Sequence, residues 1–258
     1  FFEIKSVALI IYYLRRRYIS RFYISSRQIL PLCLANSATL LGKSWFKVSP
    51  ATIKSCPDDV SLIDEIREHC YSLPNKQERT RYVNQLYRRY EGEKRNYVKE
   101  SYLANYDIDH DDFHTDIRFM RGDDYAGQVD ILVGGSPCQS FSTFGKKQGL
   151  EDARGTLFYD YARIIQESNP KIFIYENVAA IKTNDHGHTW ETMLSVWESL
   201  GYNIYHDILN AADYNHPQLR NRVFIVGIRK DIFHTAYQFP EKKKLTKKKK
   251  QILTFLQL

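Results

Sequence analysis

Between residues 129 and 229 short apolar runs alternate with amphipathic stretches, and this alternation constrains the fold more than any other feature. Four runs predict strands, namely VDILVGG, KIFIYENV, YNIYHDIL and RVFIVGIR, and the first of them reads as a buried strand. Two stretches with helical spacing separate the first three strands, TLFYDYARIIQES and TWETMLSVWESLG, and the first helix should stop near Asn169-Pro170. Strands that alternate with helices indicate βαβ units. The predicted fold class is therefore α/β, with a mostly parallel, doubly wound sheet.

The part of the chain before this alternation is less regular. Three stretches predict helices: SLIDEIREHCYSL, TRYVNQLYRRY and YVKESYLANY. Residues 1–58 show no clear period and contain a single glycine, Gly42, so no structure is assigned to them. We therefore expect three parts: an unassigned basic segment (1–58), a core (59–240) and a lysine-rich end (241–258).

The net charge of +7 is unevenly distributed along the chain. Residues 1–58 and residues 242–258 each carry +7, whereas residues 59–241 carry −7. A basic protein suggests a nucleic-acid partner, but the positive charge here lies at the two ends. The run KKKLTKKKK could contact phosphate groups, although such a run is more often a solvated tail.

Cysteine usage and hydropathy indicate the compartment. The four cysteines show no metal-ligand spacing and no dense disulfide framework, which favours a reducing compartment and predicts no metal site. The most apolar run near the N-terminus, Val7 to Leu14, is too short to cross a bilayer, and no signal-peptide cleavage site is evident. We expect a cytoplasmic protein without a membrane partner.

Three polar clusters lie next to the predicted strands. SPCQS follows the first strand, ENV ends the second, and PQLRNR directly precedes the last. In α/β folds ligands bind beyond the carboxyl ends of the strands, so the first two clusters share the functional edge of the sheet. The third cluster reaches that edge only if its loop does.

Each cluster also has an ordinary structural explanation. A lone loop cysteine such as Cys138 is most often an inert thiol, Glu176 could cap the next helix, and Arg220 and Arg222 could form an exposed edge. These explanations lose force when the clusters are taken together. A thiol, a carboxyl and two guanidinium groups recur at regular strand junctions.

The three clusters resemble the Pro-Cys-Gln, Glu-Asn-Val and Gln-x-Arg-x-Arg motifs of the DNA cytosine-5 methyltransferases. GGSPCQSFS, ENV and QLRNR have the order and spacing of that family, and LNAADYNHPQLRNRVFIVGIR resembles the family's segment almost throughout. The resemblance extends from roughly Glu93 to Pro240, and the three motifs are highly specific together. It implies a Rossmann-like fold of the S-adenosylmethionine-dependent methyltransferase type.

The resemblance implies a reaction and assigns its residues. Cys138 is expected to add to C6 of a cytosine flipped out of double-stranded DNA, and Glu176 to bind the N3 edge of the base. Arg222 would hold O2 of the base, with Arg220 beside it. The residues expected to position the base or the surrounding loops are Gln139, Ser142, Asn177 and Gln218.

The resemblance also implies S-adenosyl-L-methionine as the cofactor. The residues expected to contact it are Glu93, Asp116, Ile117, Pro137 and Leu157. Asp116 would contact the adenine. The glycine-rich Phe-x-Gly-x-Gly turn with which the family begins has no counterpart, since Gly42 and Gly92 stand alone. Residues 1–58 could be non-family sequence in its place.

The sequence thus predicts the catalytic core of a bacterial or phage-type DNA cytosine-5 methyltransferase, without its target-recognition region. A transfer-RNA cytosine-5 methyltransferase shares the three motifs, and a non-catalytic nucleic-acid-binding relic would account for the absent glycine turn. Both alternatives stay open. The expected partners are double-stranded DNA with a flipped cytosine and a cognate restriction endonuclease, and the protein itself is expected to be a monomer.

Overall fold

The computed structural model describes residues 29–31, 60–91, 97, 100, 103–104, 113–136, 157–214, 218–232 and 236–242. The α-helices of this part are α1 (Val60–Ser72), α2 (Lys76–Glu91), α3 (Leu157–Ser168) and α4 (His188–Ser199). The strands are β1 (Ile29–Pro31), β2 (Ile131–Gly134), β3 (Ile172–Val178), β4 (Tyr202–Asn210) and β5 (Asn221–Arg229). The chain divides into two compact units, residues 1–30, 129–133 and 170–258, and residues 31–128 and 134–169.

The predicted helices and strands between residues 129 and 229 are confirmed, because local patterns set them. Helix α3 ends directly before Asn169, which has a φ of 47° and precedes a proline, and both features stop a helix. Helix α4 is followed by Gly201 at a φ of 91°, a left-handed conformation that glycine adopts without strain. The two helices predicted between residues 61 and 90 are also present as α1 and α2.

The sheet belongs to the first unit and has the strand order β1-β2-β3-β5-β4. Strands β2 and β3 begin side by side, since the backbone nitrogen of Ile172 donates to the Asp130 carbonyl at 2.9 Å. The Lys171 ammonium also lies 2.6 Å from the Asp130 carboxylate. Neighbouring strands whose starts are adjacent run in the same direction, as the sequence predicts.

Strand β5 departs from the parallel arrangement, because it pairs antiparallel with both β3 and β4. The reason is the length of the connection between β4 and β5, residues 211–220. A parallel crossover needs a dozen or more residues, and a shorter link returns the chain as a hairpin. The α/β sheet is therefore mixed, with β5 inserted between two strands that run parallel to each other.

Strand β1 lies at one end of the strand order, and the sequence did not predict it. Residues 29–31 belong to the unassigned N-terminal segment, and a strand of three residues is too short to show an alternating pattern. Pro31 has no backbone N–H, which suits a strand at the edge of a sheet.

Aromatic side chains form the core of the first unit on one face of the sheet. The rings of Phe173 and Tyr175 lie 5.3 Å and 5.1 Å from the indole of Trp197 on α4. All three side chains are fully buried. Gly227 pairs with Phe173 across β3 and β5, and a Cβ at Gly227 would lie 2.0 Å from the phenyl ring. The glycine thus leaves the space that this ring fills.

Residues 236–242 also pack on the first unit. The Tyr237 ring contacts Tyr205 of β4 at 5.8 Å. The Tyr214 hydroxyl donates to the Pro240 carbonyl at 3.0 Å, and Lys242 forms an ion pair with Asp213 at 3.2 Å. The chain is therefore held against the first unit up to the first lysine of the basic run.

The second unit packs α1 and α2 around a small apolar core. Its buried residues are Ile63, Ile66, Cys70, Val83 and Phe119. An ionic network joins this core to α3, where the Arg163 guanidinium donates to the carbonyls of Ile117 and Met120 at 2.7 Å and 2.8 Å. Arg163 also forms an ion pair with Asp160, whose side chain is 3% exposed. Asp160 forms a second ion pair with Arg67 at 3.0 Å. Buried carboxylates need such partners, since an unpaired buried charge is costly.

Candidate active site

Glu176 and Arg222 meet on one face of the sheet. In the register of β3 and β5, Glu176 lies opposite Phe224 and Val178 lies opposite Arg222, so the two charged side chains are diagonal neighbours. The Arg222 Nε lies 2.9 Å from the Glu176 Oε1, and each side chain is 14% exposed. The structure thus brings together one residue from each of two motifs that are distant in the sequence.

Arg222 and Glu176 form an ion pair, but the N–H of the Arg222 Nε does not point at the Glu176 Oε1. Both of these atoms are shielded from water. The Arg222 Nη1 donates to the carbonyl of Asn221 at 2.8 Å, which restricts the orientation of the guanidinium. A carboxyl group beside a guanidinium presents an acceptor or acid next to a set of fixed donors. This arrangement suits a planar ring that carries a basic nitrogen beside a carbonyl oxygen.

Asn177 faces away from this ion pair, because successive side chains of a strand alternate between the faces. Its Nδ2 donates to the hydroxyl of Tyr175 at 3.0 Å, and its Oδ1 accepts the backbone N–H of Val178 at 2.8 Å. The side chain is only 4% exposed. Asn177 therefore fixes the end of β3.

The other residues of the arginine motif lie just before β5. The carbonyl of Arg220 accepts a hydrogen bond from the backbone nitrogen of Ala211 at 3.1 Å, which extends the pairing of β4 and β5 by one step. The Arg220 side chain is half-buried, and Gln218 and Leu219 are exposed. The motif thus approaches the strand as a continuation of the hairpin.

The predicted nucleophile Cys138 lies outside the described residues, as do Pro137, Gln139, Ser142 and Glu93. The last described residue before Cys138 is Ser136, which follows β2 and is 9% exposed. Cys70 in α1 provides a contrast, because it is fully buried and burial raises the pKa of its thiol to about 11. A buried thiol of this kind is unreactive at neutral pH.

Asp116 and Ile117 lie in the second unit at the start of a 3₁₀ turn. Asp116 caps this turn, since its Oδ1 accepts the backbone N–H of Arg118 at 2.9 Å. Its Oδ2 accepts from the Arg118 guanidinium at 2.7 Å and from the Tyr87 hydroxyl. The carboxylate is 5% exposed. Leu157 is half-buried at the start of α3.

Sequence reasoning missed the partners of Asp116. Arg118 stands two residues further along the chain, so its pairing with Asp116 could have been suspected. Tyr87 comes from α2, and no local pattern predicts that its hydroxyl reaches the carboxylate. In the part of the chain that the structure describes, no group of three or more His, Cys, Asp or Glu residues is placed to hold a metal ion. No described helix is both long and apolar enough to cross a membrane.

Two curated relatives are similar to part of this chain. The type II methyltransferase M1.ScrFI of Lactococcus lactis subsp. cremoris is 45% identical over 143 residues, which cover 55% of this chain and 36% of the relative. The type II methyltransferase M.HhaI of Haemophilus parahaemolyticus is 44% identical over 112 residues, which cover 43% of this chain and 34% of the relative. The chain thus spans about a third of the length of these relatives.

Among solved structures, the methyltransferase EhMeth of Entamoeba histolytica matches 58% of this chain and 47% of its own chain, with 17% identity and a TM-score of 0.44. The family assignment rests on sequence. The family described as C-5 cytosine-specific DNA methylase matches residues 83–257, which is more than half of the chain. These residues include the Pro-Cys-Gln, Glu-Asn-Val and Gln-x-Arg-x-Arg motifs, and the chain belongs to the C-5 cytosine-specific DNA methylase family.

Proposed function

We propose that this chain is the catalytic core of an enzyme that methylates carbon 5 of cytosine in DNA. The observation that carries the proposal is the ion pair between Glu176 and Arg222, 2.9 Å apart on one face of the sheet. Two motifs of the family thereby supply a carboxyl group and a guanidinium to the same place. Cytosine offers N3 and O2 side by side, and these two groups can bind that edge together.

The proposed reaction begins with the thiolate of Cys138, which forms a bond to C6 of the base. Glu176 shares a proton with N3 and so accommodates the electron pair that the addition displaces, while Arg222 holds O2. C5 becomes a nucleophilic enamine carbon. S-adenosylmethionine, when bound, would supply the methyl group to C5 and would leave as S-adenosylhomocysteine. Loss of the C5 proton to a base then restores the ring double bond and expels the thiolate.

The target base has to leave the duplex before a thiolate can reach C6, at a cost of roughly a few kcal/mol. Gln139 and Ser142, which lie outside the described residues, are proposed to position the flipped base. Asn177 and Gln218 are proposed to hold the surrounding loops. Arg220 is proposed to support Arg222 at the base.

The remaining assignments concern the partners. The substrate is proposed to be double-stranded DNA and the cofactor S-adenosylmethionine, with Glu93, Asp116, Ile117, Pro137 and Leu157 as contacts. The bacterial relatives M1.ScrFI and M.HhaI carry type II methyltransferase names. These names support a place in a restriction-modification system beside a cognate endonuclease, and we propose that the protein is a cytoplasmic monomer.

Covalent trapping tests this proposal. We expect the chain, joined as a chimaera to the part of M1.ScrFI that lies outside the matched 36%, to form a denaturation-resistant adduct with DNA containing 5-fluorocytosine, because fluorine cannot leave C5 as a proton does. Cys138→Ser should abolish the adduct, whereas Cys70→Ala, which alters the buried thiol, should keep it. An adduct that persists in Cys138→Ser would show that the nucleophile is assigned wrongly.

A further inference from the structure

The carboxylate of Asp116 has no acceptor position to spare. Its Oδ1 accepts the backbone N–H and the Nε of Arg118 at 2.9 Å and 3.1 Å. Its Oδ2 accepts the Nε and Nη2 of Arg118 at 2.9 Å and 2.7 Å, and also the hydroxyl of Tyr87. An ionised carboxylate offers about four lone-pair sites. The adenine amino group is therefore a suitable donor for Asp116, but all acceptor positions of this carboxylate are already used.

The partners of Asp116 differ in how readily they can leave. Arg118 supplies the positive charge that compensates a carboxylate only 5% exposed, and its backbone N–H is capped by that carboxylate. Removing such a partner leaves a buried charge unpaired, which is strongly destabilising. The Tyr87 hydroxyl is a neutral donor on a side chain of α2 that is only half-buried. A neutral hydrogen bond contributes much less than a buried charge pair.

The amino group of adenine is a neutral N–H donor, like the Tyr87 hydroxyl. Either group can complete the acceptor set of Asp116 without changing the charge of the site. Exchange of one for the other therefore yields little net hydrogen-bond free energy, since each bond formed replaces one broken. The adenine gains from Asp116 only if Tyr87 is absent or has moved away.

We propose that Tyr87 occupies the position on Asp116 that the adenine amino group requires, and so acts as a built-in competitor of the cofactor. This proposal rests on the proposed cofactor role of Asp116. Tyr87 makes the carboxylate well ordered before the cofactor arrives, and it lowers the affinity for any adenosine ligand by the value of one hydrogen bond. The ligands whose affinity is lowered are the adenosine cofactor and its demethylated product.

Calorimetric titration with S-adenosylhomocysteine tests the proposal without needing catalysis. Tyr87→Phe removes the hydroxyl and keeps the ring, so we expect its dissociation constant to fall about three- to tenfold below that of the unaltered chain, which is the range that one neutral hydrogen bond covers. Tyr71→Phe is the matched control, because it removes a tyrosine hydroxyl that bonds a different carboxylate of the same unit, Glu167 at 2.9 Å. Its dissociation constant should not change.

S-inosylhomocysteine provides a control on the ligand, because a carbonyl replaces the amino group of its base. Tyr87→Phe should bind it no better than the unaltered chain. Equal affinities of Tyr87→Phe and the unaltered chain for S-adenosylhomocysteine would overturn the competition. If Asp116→Ala then weakened the binding of S-adenosylhomocysteine in both of these backgrounds, the cofactor role of Asp116 would survive. Absence of binding in every variant would overturn both the competition and the proposed cofactor site.

Discussion

The pair Glu176–Arg222 and the pair Asp116–Arg118 both join a carboxylate to an arginine, yet the chain builds them differently. Asp116 and Arg118 are two residues apart, and their contact closes a 3₁₀ turn. Glu176 and Arg222 come from two strands and meet only through the pairing of β3 with β5. The first pair forms wherever the turn forms, whereas the second depends on the register of the sheet.

The two pairs also differ in their alignment and in their exposure to water. Asp116 accepts both the backbone and the guanidinium of Arg118 and is completed by Tyr87. Glu176 and Arg222 are close but not aligned as a hydrogen bond, and both side chains are 14% exposed. The Glu176–Arg222 pair is thus the more exposed of the two, since the Asp116 side chain is only 5% exposed. We propose the base chemistry for the more exposed pair, Glu176 and Arg222, and a structural role for Asp116 until Tyr87 is displaced.

The largest effect is expected from Arg163 in the second unit. Arg163→Leu would leave Asp160 without one of its two arginine partners and would remove the donors to the carbonyls of Ile117 and Met120. We expect the free energy of unfolding to fall by about 3–5 kcal/mol, as for other broken buried ion pairs. Urea titration measures it, with Arg81→Leu at an exposed position of α2 as the control. A loss below about 1 kcal/mol would mean that this network contributes little.

A smaller effect is expected at alkaline pH, again in the second unit. Burial raises the pKa of Cys70 from 9.0 to about 11, so between these values the folded chain keeps a proton that the unfolded chain releases. Stability contributed by the neutral thiol is therefore complete below pH 9 and is lost as the pH rises through 11, by about 2–3 kcal/mol in total. Urea titrations at pH 8 and pH 11 should show this loss, and Cys70→Ala should reduce it. An equal loss in Cys70→Ala would assign the alkaline sensitivity to other groups.

The sequence predicts much of the first unit, because the spacing of apolar residues within each segment is enough to identify its strand or helix. The limits of α3 follow from Asn169-Pro170, and the buried run of β2 follows from its apolar residues. The direction of β5 follows from the short connection after β4, which periodicity does not address. Tyr87 reaches Asp116 only through the packing of α2, so sequence could not foresee that the carboxylate is already occupied.

A double-mutant cycle on Glu176 and Arg222 tests the central claim most directly, with single-turnover methylation by the chimaera at saturating DNA as the measurement. If both side chains hold one base, Glu176→Gln and Arg222→Ala should each slow methylation about tenfold to a hundredfold. The double variant should be slowed little more than the slower single variant, because interacting residues are not additive. Urea titration of the two single variants and the double variant should show changes in the free energy of unfolding that are much smaller than the losses in methylation rate. Rate losses that multiply independently, or that follow the loss of stability, would contradict the assignment of this ion pair to the reacting base.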